Sequence, residues 1–135
     1  MISHSEAEMI AFGEEFAKGL VAPATLELVG DIGVGKTTLV KGIAKGLGIT
    51  DDVTSPSFTI SKTYRKGDIT LTHYDFYRLP DPGIMQEDLR ESVQDANTIT
   101  IVEWGSTVKN TLPDHRTQIT ILYNDDDTRT IEVSP

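Results

Sequence analysis

Cysteine is absent from this 135-residue chain, which excludes disulfide bridges and thiolate metal centres together. Long apolar runs are missing as well: no stretch of about twenty apolar residues exists to span a bilayer, and Met1 to Glu8 is polar and acidic with no signal-peptide pattern. Those absences favour a soluble, cytoplasmic protein without a membrane role. Cations are scarce too. Twelve Lys and Arg stand against 21 Asp and Glu, a formal net charge of −9 that argues against a broad direct grip on nucleic acid, because such binding neutralises phosphates with Lys and Arg. A basic protein partner is compatible with that charge. There is no internal repeat and no low-complexity linker, so residues 1–135 read as a single domain. A chain of this length buries about two-thirds of the surface it exposes when unfolded.

What is present is a phosphate-binding pattern. Gly30-Asp-Ile-Gly-Val-Gly-Lys-Thr-Thr38 fits G-x-x-x-x-G-K-[ST], a coincidence expected in roughly one chain in two hundred of this length. Gly33 and Gly35 can turn successive N–H groups inward without a Cβ in the way, and Val34 contributes backbone between them. Lys36 offers a cation to β- and γ-phosphates, Thr37 a hydroxyl to Mg²⁺, and the helix opening at Thr37 and Thr38 adds its positive dipole end.

The flanking segments supply the required context. Ala24 to Val29 has strand composition, and Leu39, Val40, Ile43, Ala44 and Leu47 recur at helical spacing, with Gly46 and Gly48 suiting a helix C-terminus. Upstream, Ser5-Glu-Ala-Glu8 is a capping-box pattern that predicts a helix through about Leu20. Downstream, Phe58 to Tyr64 and Ile69 to Tyr77 read as a hairpin turning at Arg65 to Asp68, and Thr117 to Tyr123 with Thr128 to Val133 as a second. Between them, Asp81 to Asp95 holds a loop and a short acidic helix, and Thr98 to Val102 reads as a buried strand. Hairpins are antiparallel, so the expected fold is α/β, P-loop NTPase-like and three-layered, with a mixed parallel and antiparallel sheet.

Two carboxylates compete for the chemistry. Glu103 ends a strand where a P-loop nucleotidase needs an acid to hold Mg²⁺ or its water shell, although Asp is usual there. Asp75 closes the alternating run Leu71, His73, Asp75 and so shares a strand face with His73. Thr54, Ser55 and Ser57 place three hydroxyls where a switch segment would approach the γ-phosphate; read alone, they are an ordinary Ser/Pro turn. Arg78 can pair with phosphate or with a partner protein, or remain a solvated cation. Trp104 is either a contact for nucleotide or partner, or a packing residue.

Taken together, four blocks resemble the TsaE family of bacterial threonylcarbamoyladenosine tRNA modification. They are Gly30 to Leu39; Thr54-Ser-Pro-Ser-Phe58; His73-Tyr-Asp-Phe-Tyr-Arg-Leu79 with Asp81-Pro82; and Ile101-Val-Glu-Trp104. Departures are few: Ser57 stands for the common Thr, Ile32 and Val34 for Leu and Ala, Met9 for Thr, and Gly105 for Pro. The resemblance implies ATP bound with Mg²⁺ at the P-loop, the metal on Thr37 and Glu103, and an important Asp75. It implies that segments near Glu6 and Arg129 flank the adenine. It also implies TsaD and TsaB as partner proteins, tRNA reached only through that complex, and an ATPase that resets the complex between turnovers while TsaD performs the transfer. Lys36, Asp75 and Glu103 are then the catalytic candidates.

Two other readings start from the same loop. A small-molecule kinase would need an acceptor pocket and an arginine-rich lid, whereas the five arginines are scattered at 65, 78, 90, 116 and 129. A non-hydrolysing, nucleotide-gated binding module would use ATP only to order the Thr54 to Phe58 loop.

Overall fold

In a computed structural model, residues 1–31, 33–56, 60–77 and 83–135 are described, with the side chains of Ile84, Ser106 and Thr107 left aside. Chain order is β1 (Ile2–Ser3), α1 (Glu6–Ala17), β2 (Ala24–Val29), α2 (Lys36–Gly46), β3 (Ser61–Lys66), β4 (Ile69–Asp75), α3 (Ile84–Gln94), β5 (Thr98–Glu103), β6 (Thr117–Tyr123) and β7 (Arg129–Ser134). A short 3₁₀ turn, Gly105–Val108, follows β5. The strands form one seven-stranded sheet in the order β1-β7-β6-β2-β5-β4-β3. Its centre, β6-β2-β5-β4, is parallel, and the hairpins β3-β4 and β6-β7 and the pair β1-β7 are antiparallel. The mixed sheet expected from the two hairpins is therefore present.

Strand alternation divides the core into two layers. Leu26, Leu28, Leu71, Ile99, Ile101, Ile119 and Ile121 face α1 and α2, joined by Leu39, Val40 and Ile43. Tyr74 and Val102 face the other way, packing with Leu89 of α3 and with Val108 and Leu112. Both faces of β5 are covered, so all six of its residues are buried. Its threonines are satisfied locally: Thr98 donates to Asp95 at 2.8 Å, and Thr100 and Ser92 hydroxyls lie 2.7 Å apart.

Local signals explain the helix ends. Ser5 caps α1, its hydroxyl accepting from the Glu8 N–H at 3.1 Å. The helix stops at Ala17, short of Leu20, because the N–H groups of Lys18, Gly19 and Leu20 bond three residues back and tighten the last turn. Helix α2 ends in a Schellman arrangement: Gly48, at φ +84°, donates to Lys45 and Ile49 donates to Ala44, both at 3.0 Å. Gly46, the last residue of α2 as expected, has a second task. A Cβ there would lie 2.5 Å from Glu14 O, so Gly46 lets α1 and α2 touch backbone to backbone. That contact fixes α2, and with it the loop at its N-terminus.

Candidate functional site

The parallel strands end together, and the P-loop rises from the carboxyl end of central β2. Open parallel sheets place ligands beyond that edge. Gly30 passes so close to β6 that a Cβ would sit 2.8 Å from Ile121 O, which holds the loop against the sheet. Gly33 at φ +77° and Gly35 at φ +119° supply the turns that an L side chain resists. Gly35 caps α2 with no side-chain hydrogen bond, so the first amides of the helix are not consumed by a capping side chain. Thr37 and Thr38, both half-buried, occupy the first turn of α2.

Lys36 opens that helix and is 6% exposed. Its ammonium donates to Gly30 O at 2.5 Å, lies 3.9 Å from Glu103 Oε1 and sits 4.1 Å from the centre of the Trp104 ring. Burial lowers its pKa from the ordinary lysine value, opposed by the negative charges of Glu103, Asp75 and Asp31. The result is a desolvated cation at the mouth of the loop.

The carboxylates come from neighbouring strand ends. Register pairs Asp75 with Glu103 and Glu103 with Leu28, so Glu103 stands beside the strand that launches the loop and Asp75 one strand farther out. Alternation from Leu71 and Ile101 puts His73, Asp75 and Glu103 on the α2 side of the sheet. Asp75 is 6% and Glu103 3% exposed, which rules out the solvent-facing edge as the reading of this run. Asp75 Oδ1 accepts the Tyr77 N–H at 3.0 Å, and Glu103 Oε2 lies 2.5 Å from His73 Nε2.

Trp104 follows at φ +57°, ψ +48°, a left-handed conformation that costs a bulky residue roughly 1–3 kcal/mol. Its ring packs 4.8 Å from Tyr77 and over Lys36, so it touches the cluster directly. Of the expected switch residues, two are described. Thr54 and Ser55 are exposed, and Thr54 accepts a bond from Lys62 of β3; Ser57 and Arg78 lie outside the described residues.

On the loop's other side a cleft of about 160 Å³ is lined by Glu6, Arg129, Gly33, Val34, Gly35 and Thr38, with Ser3, His4, Ser5, Met9 and Asp127. Arg129 is anchored there, donating to Val34 O at 3.1 Å and to Asp127 O at 2.6 Å, with its guanidinium 4.1 Å from the Tyr123 ring centre. Glu6 and Arg129 are 123 residues apart and line one cleft because β1 pairs with β7 and brings the start of α1 beside the last hairpin. Sequence reasoning missed Ser3, His4, Ser5 and Asp127 in this cleft. It also gave His73 no role, although the alternation that carries Asp75 includes it.

These residues can hold a nucleoside triphosphate with its cation. The donor set suits Mg²⁺, which prefers oxygen ligands: a hydroxyl on Thr37 and the carboxylates of Glu103 and Asp75. The glycines there are required by backbone conformation rather than by crowding: a Cβ on Gly33 would meet nothing within 4 Å, and one on Gly35 only the end of the Met9 side chain at 3.3 Å. Such a loop between a central parallel strand and a helix, facing acids on adjacent strand ends, defines a P-loop NTPase-like α/β protein.

Comparison with known proteins narrows the class. The sequence profile described as "Threonylcarbamoyl adenosine biosynthesis protein TsaE" matches residues 3–131, and the chain belongs to the TsaE family. Among similar proteins, the tRNA threonylcarbamoyladenosine biosynthesis protein TsaE of Bacillus subtilis is 45% identical over 107 residues, 78% of this chain and 66% of that protein. The Nostoc protein of the same name is 35% identical over 119 residues, 86% of this chain and 73% of the relative. The Treponema pallidum one is 32% identical over 133 residues, 98% of each. Among solved structures, Bacillus subtilis YdiB superposes with a TM-score of 0.82 at 36% identity, covering 97% of this chain and 80% of that one. Among the described residues, no helix is long and apolar enough to cross a membrane.

Proposed function

We propose that this chain is a Mg²⁺-dependent ATPase that serves as an accessory subunit of tRNA threonylcarbamoyladenosine modification. Membership of the TsaE family supplies the pathway. The observation that carries the chemistry is the buried cluster of Lys36, Glu103 and Asp75 at the mouth of a P-loop, 3.9 Å separating the ammonium from the nearer Glu103 oxygen.

In this reading the amides of Gly33, Val34, Gly35 and the first turn of α2 cradle the phosphates. Lys36, already stripped of water, exchanges its bond to Gly30 O for phosphate oxygens. Thr37 and Glu103 hold Mg²⁺, which when bound neutralises charge developing on the β- and γ-phosphates. Asp75 orients the attacking water, directly or through the hydration of the cation. Glu6 and Arg129, both lining the cleft, flank the base.

The acidic chain acts in the cytoplasm and docks on the TsaD and TsaB proteins, reaching tRNA only through them. TsaD performs the carbamoyl transfer, and ATP turnover resets the complex. A kinase is disfavoured because three of the four described arginines are engaged, Arg90 with Glu87, Arg116 with Glu27 and Arg129 with the loop itself, while Arg65 lies in β3. Phosphate release measured with and without TsaB–TsaD tests the proposal. Release stimulated by the pair supports it; nucleotide-dependent binding without any release would leave a switch and remove the ATPase.

A further inference from the structure

Resting on that proposed Mg²⁺–nucleotide site, we propose that His73 is a positioning residue that assigns the two oxygens of Glu103 to different tasks. His73 is wholly buried, and its Nε2 lies 2.5 Å from Glu103 Oε2. Its other nitrogen, Nδ1, is buried with no hydrogen-bond partner among the described residues. A neutral imidazole has one N–H and one acceptor nitrogen. Placing the hydrogen on Nδ1 would bury an unpaired donor and set an acceptor nitrogen against a carboxylate oxygen. Placing it on Nε2 gives Glu103 a donor and leaves only an unfilled acceptor behind, the cheaper arrangement.

The geometry then divides the carboxylate. Oε2 is held by the imidazole, while Oε1 faces the Lys36 ammonium at 3.9 Å and hence the P-loop. The sheet makes this pairing possible: β4 and β5 run parallel with His73 opposite Ile101, so Glu103 is the diagonal neighbour two residues along the same face. A rigid strand on each side and zero exposure of the ring leave the carboxylate little freedom to rotate. Outer groups that orient a metal-binding carboxylate commonly change metal affinity tenfold or more when removed.

The test uses the full chain, with Mn²⁺ as the metal and a non-hydrolysable ATP analogue as the nucleotide. Wild type, His73→Leu and His73→Gln are compared by electron paramagnetic resonance of bound Mn²⁺ and by analogue binding without metal. Leu fills space without a donor, whereas Gln can return an N–H near the place of Nε2. The expected result is about tenfold weaker Mn²⁺ binding in His73→Leu, unchanged metal-free analogue binding, and recovery to within about threefold in His73→Gln. Wild-type Mn²⁺ affinity in a folded His73→Leu, or equal loss in both variants, would overturn the proposal. Should His73→Leu not fold, ¹⁵N chemical shifts of the wild-type imidazole decide: the Nε2–H tautomer is required, and Nδ1–H contradicts it. Absence of metal-dependent analogue binding in the wild type would defeat the ATPase reading itself, together with this inference.

Discussion

Gly42→Ala separates packing from helix propensity because the two demand opposite signs. In an exposed helix the change would stabilise by about 1 kcal/mol. Here a Cβ on Gly42 would lie 2.3 Å from Ile10 O and 2.9 Å from Ile10 Cα, and both obstacles are backbone of α1. Restoring an ordinary carbon–oxygen contact requires the helices to part by roughly 1 Å, which forfeits dispersion along the whole contact. Leu39, Ile43 and Met9 are all essentially inaccessible there, so the loss falls on a tightly filled layer. Overpacking of this kind costs about 3 kcal/mol at the upper end, leaving a net destabilisation of about 2 kcal/mol after the propensity gain. For a domain of this size that corresponds to a fall in Tm of roughly 8 °C. Urea unfolding followed by circular dichroism, with thermal melts alongside, reads both quantities. Gly19→Ala is the control: a Cβ there meets only Phe16 O at 3.8 Å, so its stability should change by no more than about 0.5 kcal/mol. Gly42→Ala as stable as wild type, or more so, would refute the close-packed helix pair.

The buried polar groups yield two further expectations. Tyr74 donates to Asp88 Oδ2 at 2.6 Å, and burial first, then the Asp88 carboxylate, pushes the hydroxyl pKa above the ordinary tyrosine value. A raised folded-state pKa means its contribution is complete below the unfolded value of about 10 and is lost as pH climbs beyond it. Urea midpoints between pH 8 and 11 should therefore fall more steeply for wild type than for Tyr74→Phe, and equal slopes would dismiss the idea. Arg116 Nε donates to buried Glu27 at 2.9 Å, with Gln118 farther away at 3.4 Å. Arg116→Leu should cost about 2 kcal/mol, less than breaking a fully buried pair because Arg116 keeps 25% of its side-chain exposure. A double-mutant cycle with Glu27→Leu should recover at least about 1 kcal/mol, and strict additivity would deny the coupling.

Elements with strong local signals were legible in the chain. Strand β2 has the bounds its composition suggested, because a short apolar run meets Gly30 at one end and Pro23 near the other. Asp75 and Glu103 were recognisable since strand alternation and strand ends are one-dimensional patterns. Strand β1 was not. Two residues carry no periodicity, and Ile2 becomes a strand only by pairing with Thr130 at the far end of the chain. Likewise Gly46 does end α2, but no local pattern shows that a Cβ on it would lie 2.5 Å from Glu14 O of α1. The His73–Glu103 contact depends on the β4-to-β5 register across 30 residues, which no local window contains. Glu6 and Arg129 were reached through family resemblance rather than any motif, because the cleft both line is formed at the sheet edge where β1 pairs with β7.

If Lys36 and its loop hold Mg²⁺–ATP as proposed, calorimetric titration of Mg²⁺–ATP should show saturable, metal-dependent binding to wild type and at least about tenfold weaker binding to Lys36→Ala, whose melting curve should still show a cooperative folded state. Equal binding by the two proteins, or none by a folded wild type, would overturn the nucleotide site.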